Sequence, residues 1–269
     1  MPELPEVETI RRQLEPLLVG AEIVDAGSHW SKKFTPALGA IGAEILTIRR
    51  RGKYLLMDLS SEEELIVHLG MTGRLAVREP TPEALEHPHL RAWWDLDTEG
   101  RLTFHDIRRF GRIHYVQRGD HSAIPTLAAL GPEPWDPEFT GRSLAAFVKR
   151  SDRYVKTLLL SQRPVAGIGN IYADEAFWLA RINPAVRRLS PERAERLVEG
   201  IRTALDSGIK YGGTTLRDYV DSEGRQGTNQ HELHCYGRAG EPCDRCGTIM
   251  RRRVLDARST TWCPTCQSR

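Results

Sequence analysis

No uncharged apolar stretch of this chain approaches the ~18 residues that a membrane-spanning helix requires. The N-terminus carries two acids within its first six residues, where a secretion signal would show a basic region and then an apolar run. A soluble, unsecreted, cytoplasmic protein is expected. Net charge is nearly lacking too. The 38 Lys and Arg against 36 Asp and Glu leave +2, although the basic excess lies in the C-terminal half. Charge alone therefore leaves a polyanion partner open, because one basic face can hide inside a neutral average. Internal repeats and low-complexity tracts are also missing, which argues against solenoids and collagen-like chains. What is present, 40% hydrophobic residues in 269, suffices for a real core, and the length suggests about two domains.

Cysteine is scarce at five residues, yet four fall in the last 27 as Cys243-x2-Cys246 and Cys263-x2-Cys266. Each Cys-x-x-Cys turn can offer two thiolates to one tetrahedral ion, so this spacing reads as a four-thiolate zinc site. Two disulfides are the alternative, disfavoured in a reducing compartment. Cys235 stands outside the pattern and reads as a buried thiol.

Val7, Ile10, Leu14 and Leu17 recur at helical spacing, so residues 5–20 read as a helix that Gly20 can stop. Short alternating runs follow at 21–25, 43–48, 54–59, 65–68, 91–96, 102–105 and 113–116, a mostly antiparallel β domain. Three prolines in the six positions from Pro132 to Pro137 exclude a continuing helix or central strand and mark a linker. Helical patterns then occupy 143–149, 155–161, 170–180 and 191–210, the last with Leu197, Ile201 and Leu205 on one face. Strands at 248–255 and 259–262 would form a metal-tied hairpin. The expected fold is α+β and multidomain: a leading helix with an antiparallel β domain (1–118), a linker (119–140), a helical domain (141–230) and a zinc-ribbon β-hairpin (231–269).

Pro2 is a small penultimate residue, a context that normally permits removal of Met1. The chain would then start with a secondary amine. An α-amino group titrates near ~8 and a lysine near ~10.4, so at neutral pH the terminal amine is the better-poised nucleophile for forming a Schiff base. Glu3 is within reach to move protons and Glu6 lies one helical turn on. Taken singly, these residues could as well be a common second residue and acids that suit a helix dipole.

The string Met1-Pro2-Glu3-Leu4-Pro5-Glu6-Val7-Glu8-Thr9 resembles the start of the bacterial formamidopyrimidine-DNA glycosylases, which excise oxidised purines such as 8-oxoguanine and then cut the strand. The resemblance continues through Arg51-Gly52-Lys53-Tyr54-Leu55, His68-Leu69-Gly70-Met71-Thr72-Gly73, Arg108-Arg109-Phe110-Gly111, Gly131-Pro132-Glu133-Pro134, Gly167-Ile168-Gly169-Asn170-Ile171-Tyr172, Tyr236-Gly237-Arg238 and the zinc cysteines. It implies an N-terminal β-sandwich, a helix-two-turn-helix domain and a zinc ribbon. Damaged double-stranded DNA would cross the cleft between them, bound by a monomer with one structural zinc and no membrane association.

The same resemblance assigns roles. Pro2 becomes the nucleophile, Glu3 the acid and base, and Glu6 a support for it. Lys53 becomes a catalytic lysine near the flipped sugar, and Arg258, at the hairpin tip, serves the final elimination. Met71, Arg108 and Phe110 fill the space left by the extruded nucleotide, a task suited to apolar wedges and to a guanidinium that can hydrogen-bond the orphaned base. His68, His89, Arg109 and Arg150 contact the DNA backbone. Asn170, with Lys156 on the preceding helix, holds the phosphate beside the lesion. Two glycines before a helix start would let backbone N–H groups approach that phosphate, and Asn170 is a favourable cap there.

Ile107 departs from the proline usual before the Arg-Arg-Phe run. The stretch from Gly224 to Gln230 occupies the place of the lesion-sensing loop, and its glycine and polar content predicts mobility. Two other readings compete: an endonuclease VIII-like enzyme for oxidised pyrimidines, against which Leu4 and the Arg-Arg-Phe loop argue, and a zinc-ribbon DNA-binding protein without catalysis, which leaves Pro2, Glu3 and Lys53 unexplained.

Overall fold

The structure is a computed structural model that describes residues Met1 to Gln267, so the last two positions of the expected 231–269 segment lie outside it. The chain forms two compact units. One comprises Met1–Ala128 with Tyr211–Thr228, and the other comprises Ala129–Lys210 with the chain from Asn229 onward. Residues 211–228 thus pack with the N-terminal unit, whereas the sequence grouped them with the helices. No helix among the described residues is long and apolar enough to cross a membrane.

In the first unit, α1 (Leu4–Leu18) starts at a capping box: the Glu3 side chain accepts from the backbone three residues on, and Glu6 Oε2 accepts from Glu3 N at 2.7 Å. Val7, Ile10 and Leu14 are fully buried as the spacing requires. Leu17 is 50% exposed, and Leu18, four residues after Leu14, takes the inward position expected of it. Eight strands follow: β1 (Ile23–Ser28), β2 (Ile45–Arg51), β3 (Tyr54–Leu59), β4 (Glu63–His68), β5 (Gly73–Arg78), β6 (Leu90–Leu96), β7 (Arg101–Asp106) and β8 (Arg112–Gln117). Short helices α2 (Pro82–Leu85) and α3 (Pro125–Ala128) lie between β5 and β6 and after β8.

The strands form two antiparallel four-stranded sheets, ordered β1-β6-β7-β5 and β2-β3-β4-β8. One apolar core draws Trp94, Leu102 and Phe104 from the first sheet, Leu55, Met57 and Val67 from the second, and Ile10 and Leu14 from α1. This is the sandwich arrangement, with apolar residues facing inward from both layers. The sequence missed β5, an edge strand directly behind a glycine turn. Only Leu75 and Val77 carry its alternation.

The connections β4–β5 and β7–β8 both pass from one sheet to the other, and a buried carboxylate ties them together. Asp106 is fully buried; its Oδ1 accepts from Thr72 Oγ1 at 2.6 Å and its Oδ2 from Gly111 N at 2.7 Å. Thr72 Oγ1 also accepts from Arg108 N at 3.0 Å. At Gly70 (φ +66°) a Cβ would lie 2.5 Å from Gly111 N, so the two loop backbones touch where only glycine fits.

The second unit contains α4 (Gly141–Lys149), α5 (Val155–Leu160), α6 (Asn170–Leu179) and α7 (Pro191–Lys210), then the hairpin β9 (Arg251–Leu255) and β10 (Arg258–Trp262). The hairpin's first strand begins at Arg251 instead of 248, because Thr248 O is taken by Cys243 N at 3.0 Å. α7 buries Leu197, Ile201 and Leu205, and a Cβ on Gly200 would lie 2.6 Å from Ala176 O in α6. Two adjacent buried acids on α6 hold the C-terminal segment. Asp174 accepts from Thr261 N in β10, and Glu175 accepts from His234, Cys235 and Tyr236 N at 2.7 to 2.9 Å.

Replacing Asp106 by Ala strands two buried donors at once, and at about 1–3 kcal/mol for each unsatisfied group the expected loss is about 2–6 kcal/mol. Chemical denaturation of Asp106→Ala checks it. A loss below about 1 kcal/mol would show that the carboxylate does not tie the loops.

Candidate active site and nucleic-acid interface

Pro2, Glu3 and Glu6 are all buried at the start of α1, while Met1 is 54% exposed. Glu6 uses both carboxylate oxygens on backbone donors far apart in sequence: Oε2 on Glu3 N, and Oε1 on Thr214 N at 2.7 Å. Gly213 makes room for this. Its φ is +91°, and a Cβ there would lie 2.9 Å from Glu6 Cγ and 2.8 Å from Tyr219 Cε1. Burial, with the Glu6 and Asp221 carboxylates nearby, raises the Tyr219 phenol above its ordinary pKa.

The returning segment 211–228 is pinned along its length. Gln13 of α1 donates from Nε2 to Asp221 Oδ2 at 2.7 Å, and its Oε1 accepts from Ser222 N and Oγ. Arg225 N donates to Asp221 Oδ1, and Gly227 N donates to Thr215 Oγ1 at 3.0 Å. Within the stretch 224–230, Arg225 and Gly227 make specific backbone hydrogen bonds to Asp221 and Thr215.

Lys53 follows Gly52 (φ +56°) in the β2–β3 turn and is 8% exposed. The β3–β4 register sets Tyr54 opposite His68, ring centroids 4.6 Å apart. Burial is the main cause that lowers the His68 pKa to about 4, with Lys53, Arg112 and His114 adding to it. Its Nδ1 accepts from Gly70 N at 3.2 Å, so the neutral ring carries its proton on Nε2.

Met71 is half-buried in the β4–β5 connection, and Arg108 and Phe110 are exposed in the β7–β8 connection. The Arg108 guanidinium lies 4.9 Å from the Phe110 ring centroid, and Phe110 is 49% exposed, a large apolar side chain held out on a tied loop. The Asp106–Thr72 link brings these void-filling candidates together. Arg109 adopts φ +57°, its carbonyl accepting from Lys33 Nζ at 2.9 Å. His89 lies half-buried beside His87, which packs against His105; burial, His87 and nearby arginines lower His105 to about 4.

Arg150, Lys156, Asn170 and Arg258 belong to the second unit. Arg150 is exposed at the C-terminal cap of α4. Arg258 is exposed immediately after a two-residue turn, Asp256-Ala257, in which both residues have positive φ as a tight twisted hairpin requires. Lys156 differs from its expected place at the DNA surface. It is 1% exposed, and its Nζ donates to Asp174 Oδ1 at 2.5 Å, Thr260 Oγ1 at 2.8 Å and Ser259 O at 3.2 Å. Burial pushes the Asp174 carboxyl up against the pull of that ammonium. Asn170 differs too. Gly169 is the cap, and the Asn170 side chain donates to Ser259 O at 3.0 Å. Both residues grip β10 at Ser259 or Thr260, next to Arg258.

The four cysteine Sγ atoms lie within 4.8 Å of one another, with Cys246 and Cys263 at 3.5 Å. A tetrahedral zinc with sulfur ligands at about 2.3 Å needs sulfurs about 3.8 Å apart, so the set fits one structural zinc and leaves no position for water. Arg245, between the first two cysteines, lies 3.5 Å over the Trp178 ring, and His234 stacks on Trp178 at 4.4 Å. Arg245 Nη1 also donates to Trp178 O at 2.5 Å, capping α6. Cys235 is a buried thiol, its Sγ 3.1 Å from Thr261 O.

Sequence reasoning overlooked Thr72, Asp106, Gln13, Thr214, Asp174 and Glu175. An acid two residues before an Arg-Arg turn was a usable signal for Asp106. Nothing local marks Gln13, whose partners lie 208 and 209 residues away.

Comparison with known proteins finds three family models along the chain: Formamidopyrimidine-DNA glycosylase N-terminal domain over residues 1–113, Formamidopyrimidine-DNA glycosylase H2TH domain over 130–220, and Zinc finger found in FPG and IleRS over 240–269. The formamidopyrimidine-DNA glycosylase of Deinococcus radiodurans is 44% identical, covering 99% of this chain and 97% of the relative. Among solved structures, the MutM (FPG) protein of Thermus thermophilus superposes with a TM-score of 0.90 at 44% identity over 99% and 98% of the two chains. A Lactococcus lactis FPG mutant in complex with a Fapy-dG containing DNA gives 0.89 at 34%, covering both chains fully.

With its proton affinity depressed, His68 should stay neutral down to about pH 5 and titrate near 4, read by two-bond nitrogen–proton NMR. The unfolded chain binds this proton near ~6.5. His68 therefore contributes its full stability above that pH and loses it as the pH falls toward 4. Cys246→Ser should abolish stoichiometric zinc and strip hydrogen-exchange protection from the C-terminal turn of α6, which the Arg245 knuckle caps. Full zinc content and protection would contradict the four-thiolate assignment.

Proposed function

This chain belongs to the formamidopyrimidine-DNA glycosylase family, and on that premise we propose that its N-terminal amine is the nucleophile in excision of oxidised purines from damaged double-stranded DNA. The protein is a DNA glycosylase of base excision repair. The observation that carries the chemistry is the buried cluster at the start of α1, where Glu3 and Glu6 close a capping box directly behind Pro2.

Removal of the exposed Met1 frees the Pro2 nitrogen. That amine attacks C1′ of the extruded nucleotide as the glycosidic bond breaks and the oxidised purine leaves; the C1′–O4′ bond of the sugar then opens as O4′ takes a proton, and an iminium remains. Glu3 moves the proton at the sugar. Glu6 holds the peptide at Glu3 by accepting its N–H, and fixes the 211–228 segment through Thr214. Successive β- and δ-eliminations then cut the strand on both sides, with Lys53 beside the sugar and Arg258 serving the last step.

The extruded nucleotide leaves a gap. Phe110, held out on the tied loop, and Met71 supply the wedge, and Arg108 faces the orphaned cytosine. His68, His89, Arg109, Arg150 and Asn170 contact the backbone. His68 does so as a neutral Nε2–H donor. Lys156, being buried, acts by fixing the start of β10 that carries Arg258. Zinc holds the ribbon and takes no part in bond breaking.

Borohydride added to the protein with an 8-oxoguanine·cytosine duplex should give a covalent adduct that peptide mapping places on Pro2, in protein whose intact mass lacks methionine. Pro2→Gly should lose base release and trapping. Full activity in that variant would remove Pro2 from the mechanism, and trapping only with a thymine glycol duplex would transfer the enzyme to oxidised pyrimidines.

A further inference from the structure

The second unit carries a strongly cationic concavity to which the proposed chemistry gives no task. It has a volume of about 490 Å³ and lies among Tyr154, Val186, Arg187, Arg188, Arg193 and Arg253, with no acid in its lining. Two guanidiniums converge on one aromatic ring: Arg187 lies 4.2 Å and Arg253 5.9 Å from the Tyr154 centroid. The negative ring face attracts both cations against their mutual repulsion, and each keeps N–H donors for an anion. Arg193 sits in a field of like charge, where burial and Arg196 lower its pKa.

An adjoining concavity of about 430 Å³ shares Tyr154 and Arg187 and adds Arg153. Its two acids, Asp152 and Asp256, already have partners. Asp152 pairs with Arg188 at 2.5 Å, and Asp256 accepts from Thr157 Oγ1 at 2.6 Å. Asp256 is also in the hairpin turn next to Arg258. The two concavities meet at Tyr154 and Arg187 inside one unit, and the second reaches Asp256 in the hairpin turn, so the cationic pocket lies next to the tip that carries Arg258.

We propose that this pocket binds a backbone phosphate of the duplex flanking the lesion, one or more nucleotides beyond the phosphates held by Asn170 and Arg258. The inference rests on the reading of DNA as the ligand and adds a second anchoring point to it. A duplex presents a charge every ~1.7 Å along its axis, so a cluster of guanidiniums beside the hairpin tip meets a phosphate of the flanking duplex. Arginine suits the task because its planar fork matches phosphate oxygens. The role is positional and sequence-independent.

The test compares two 8-oxoguanine duplexes, one about a single helical turn long and one about two turns, bound and cut by the zinc-loaded full chain. The wild type should bind the longer duplex at least about tenfold more tightly, with a salt dependence steeper by one to two phosphate equivalents. Arg187→Ala combined with Arg253→Ala should lose that gain and that extra salt slope, while cutting the short duplex at the wild-type rate. The Arg187→Lys, Arg253→Lys pair keeps the charge and should recover most of the gain, which separates anion binding from a folding defect. No length dependence in the wild type, or an unchanged gain in the alanine pair, would overturn the pocket while excision of the short duplex still supports the enzyme. Failure of the wild type to cut either duplex would instead sink the glycosylase reading. Inorganic pyrophosphate that binds the wild type but not the alanine pair, with duplex binding equal in both, would mark a site for small phosphate anions and overturn the DNA assignment.

Discussion

Carboxylates buried as hydrogen-bond acceptors hold this structure in its working shape. Asp106, Glu6, Asp174 and Glu175 are all nearly inaccessible, and each accepts from backbone N–H groups that belong to other segments. A buried acid is costly unless its oxygens are satisfied, and that cost makes the geometry selective. A loop that drifted away would leave both its own donor and the acid unpaired. The side chains proposed to touch DNA, on the 68–73 and 107–111 connections and at the hairpin tip, project from loops fixed in this way.

The two loops that carry Met71, Arg108 and Phe110 illustrate the principle. Neither belongs to a sheet, and each must present exposed apolar or charged groups whose own burial contributes little. Their stability comes from behind, through Thr72, Asp106 and the contact of Gly70 with Gly111. A similar division appears at the hairpin, where exposed Arg258 stands on strands anchored by Lys156, Asn170 and Asp174. Lys156 and Asp174 form a fully buried pair, of the kind whose disruption is far more destabilising than its presence is stabilising.

Much of this was legible in the sequence because the signals are local. Helical spacing gave α1 and α7, alternation gave seven of the eight sandwich strands, and Cys-x-x-Cys spacing gave the metal site. Arg150, Phe110 and Arg258, singled out from the sequence, are exposed in the structure. What escaped was long-range. A lysine looks the same in sequence whether it faces a phosphate or a buried aspartate, and only the path of β10 past α5 and α6 decides that for Lys156. Asn170 likewise reads as a cap until the hairpin carbonyl of Ser259 claims its amide. Leu17 and Leu18 exchanged places because apolar neighbours one residue apart differ by only about 100° around a helix.

The path of the chain also constrains when the protein can become whole. The first unit is assembled from residues before Ala129 and a short excursion, Tyr211–Thr228, that arrives only after the four helices of the second unit have been threaded through. A nascent chain still lacking those later residues has its sandwich strands but no Thr214 amide for Glu6 and no Asp221 or Ser222 for Gln13. During synthesis the end of the molecule proposed to be reactive is thus the first part made and among the last completed, and a fragment ending before residue 211 would carry an unfinished N-terminus however well its sheets had folded.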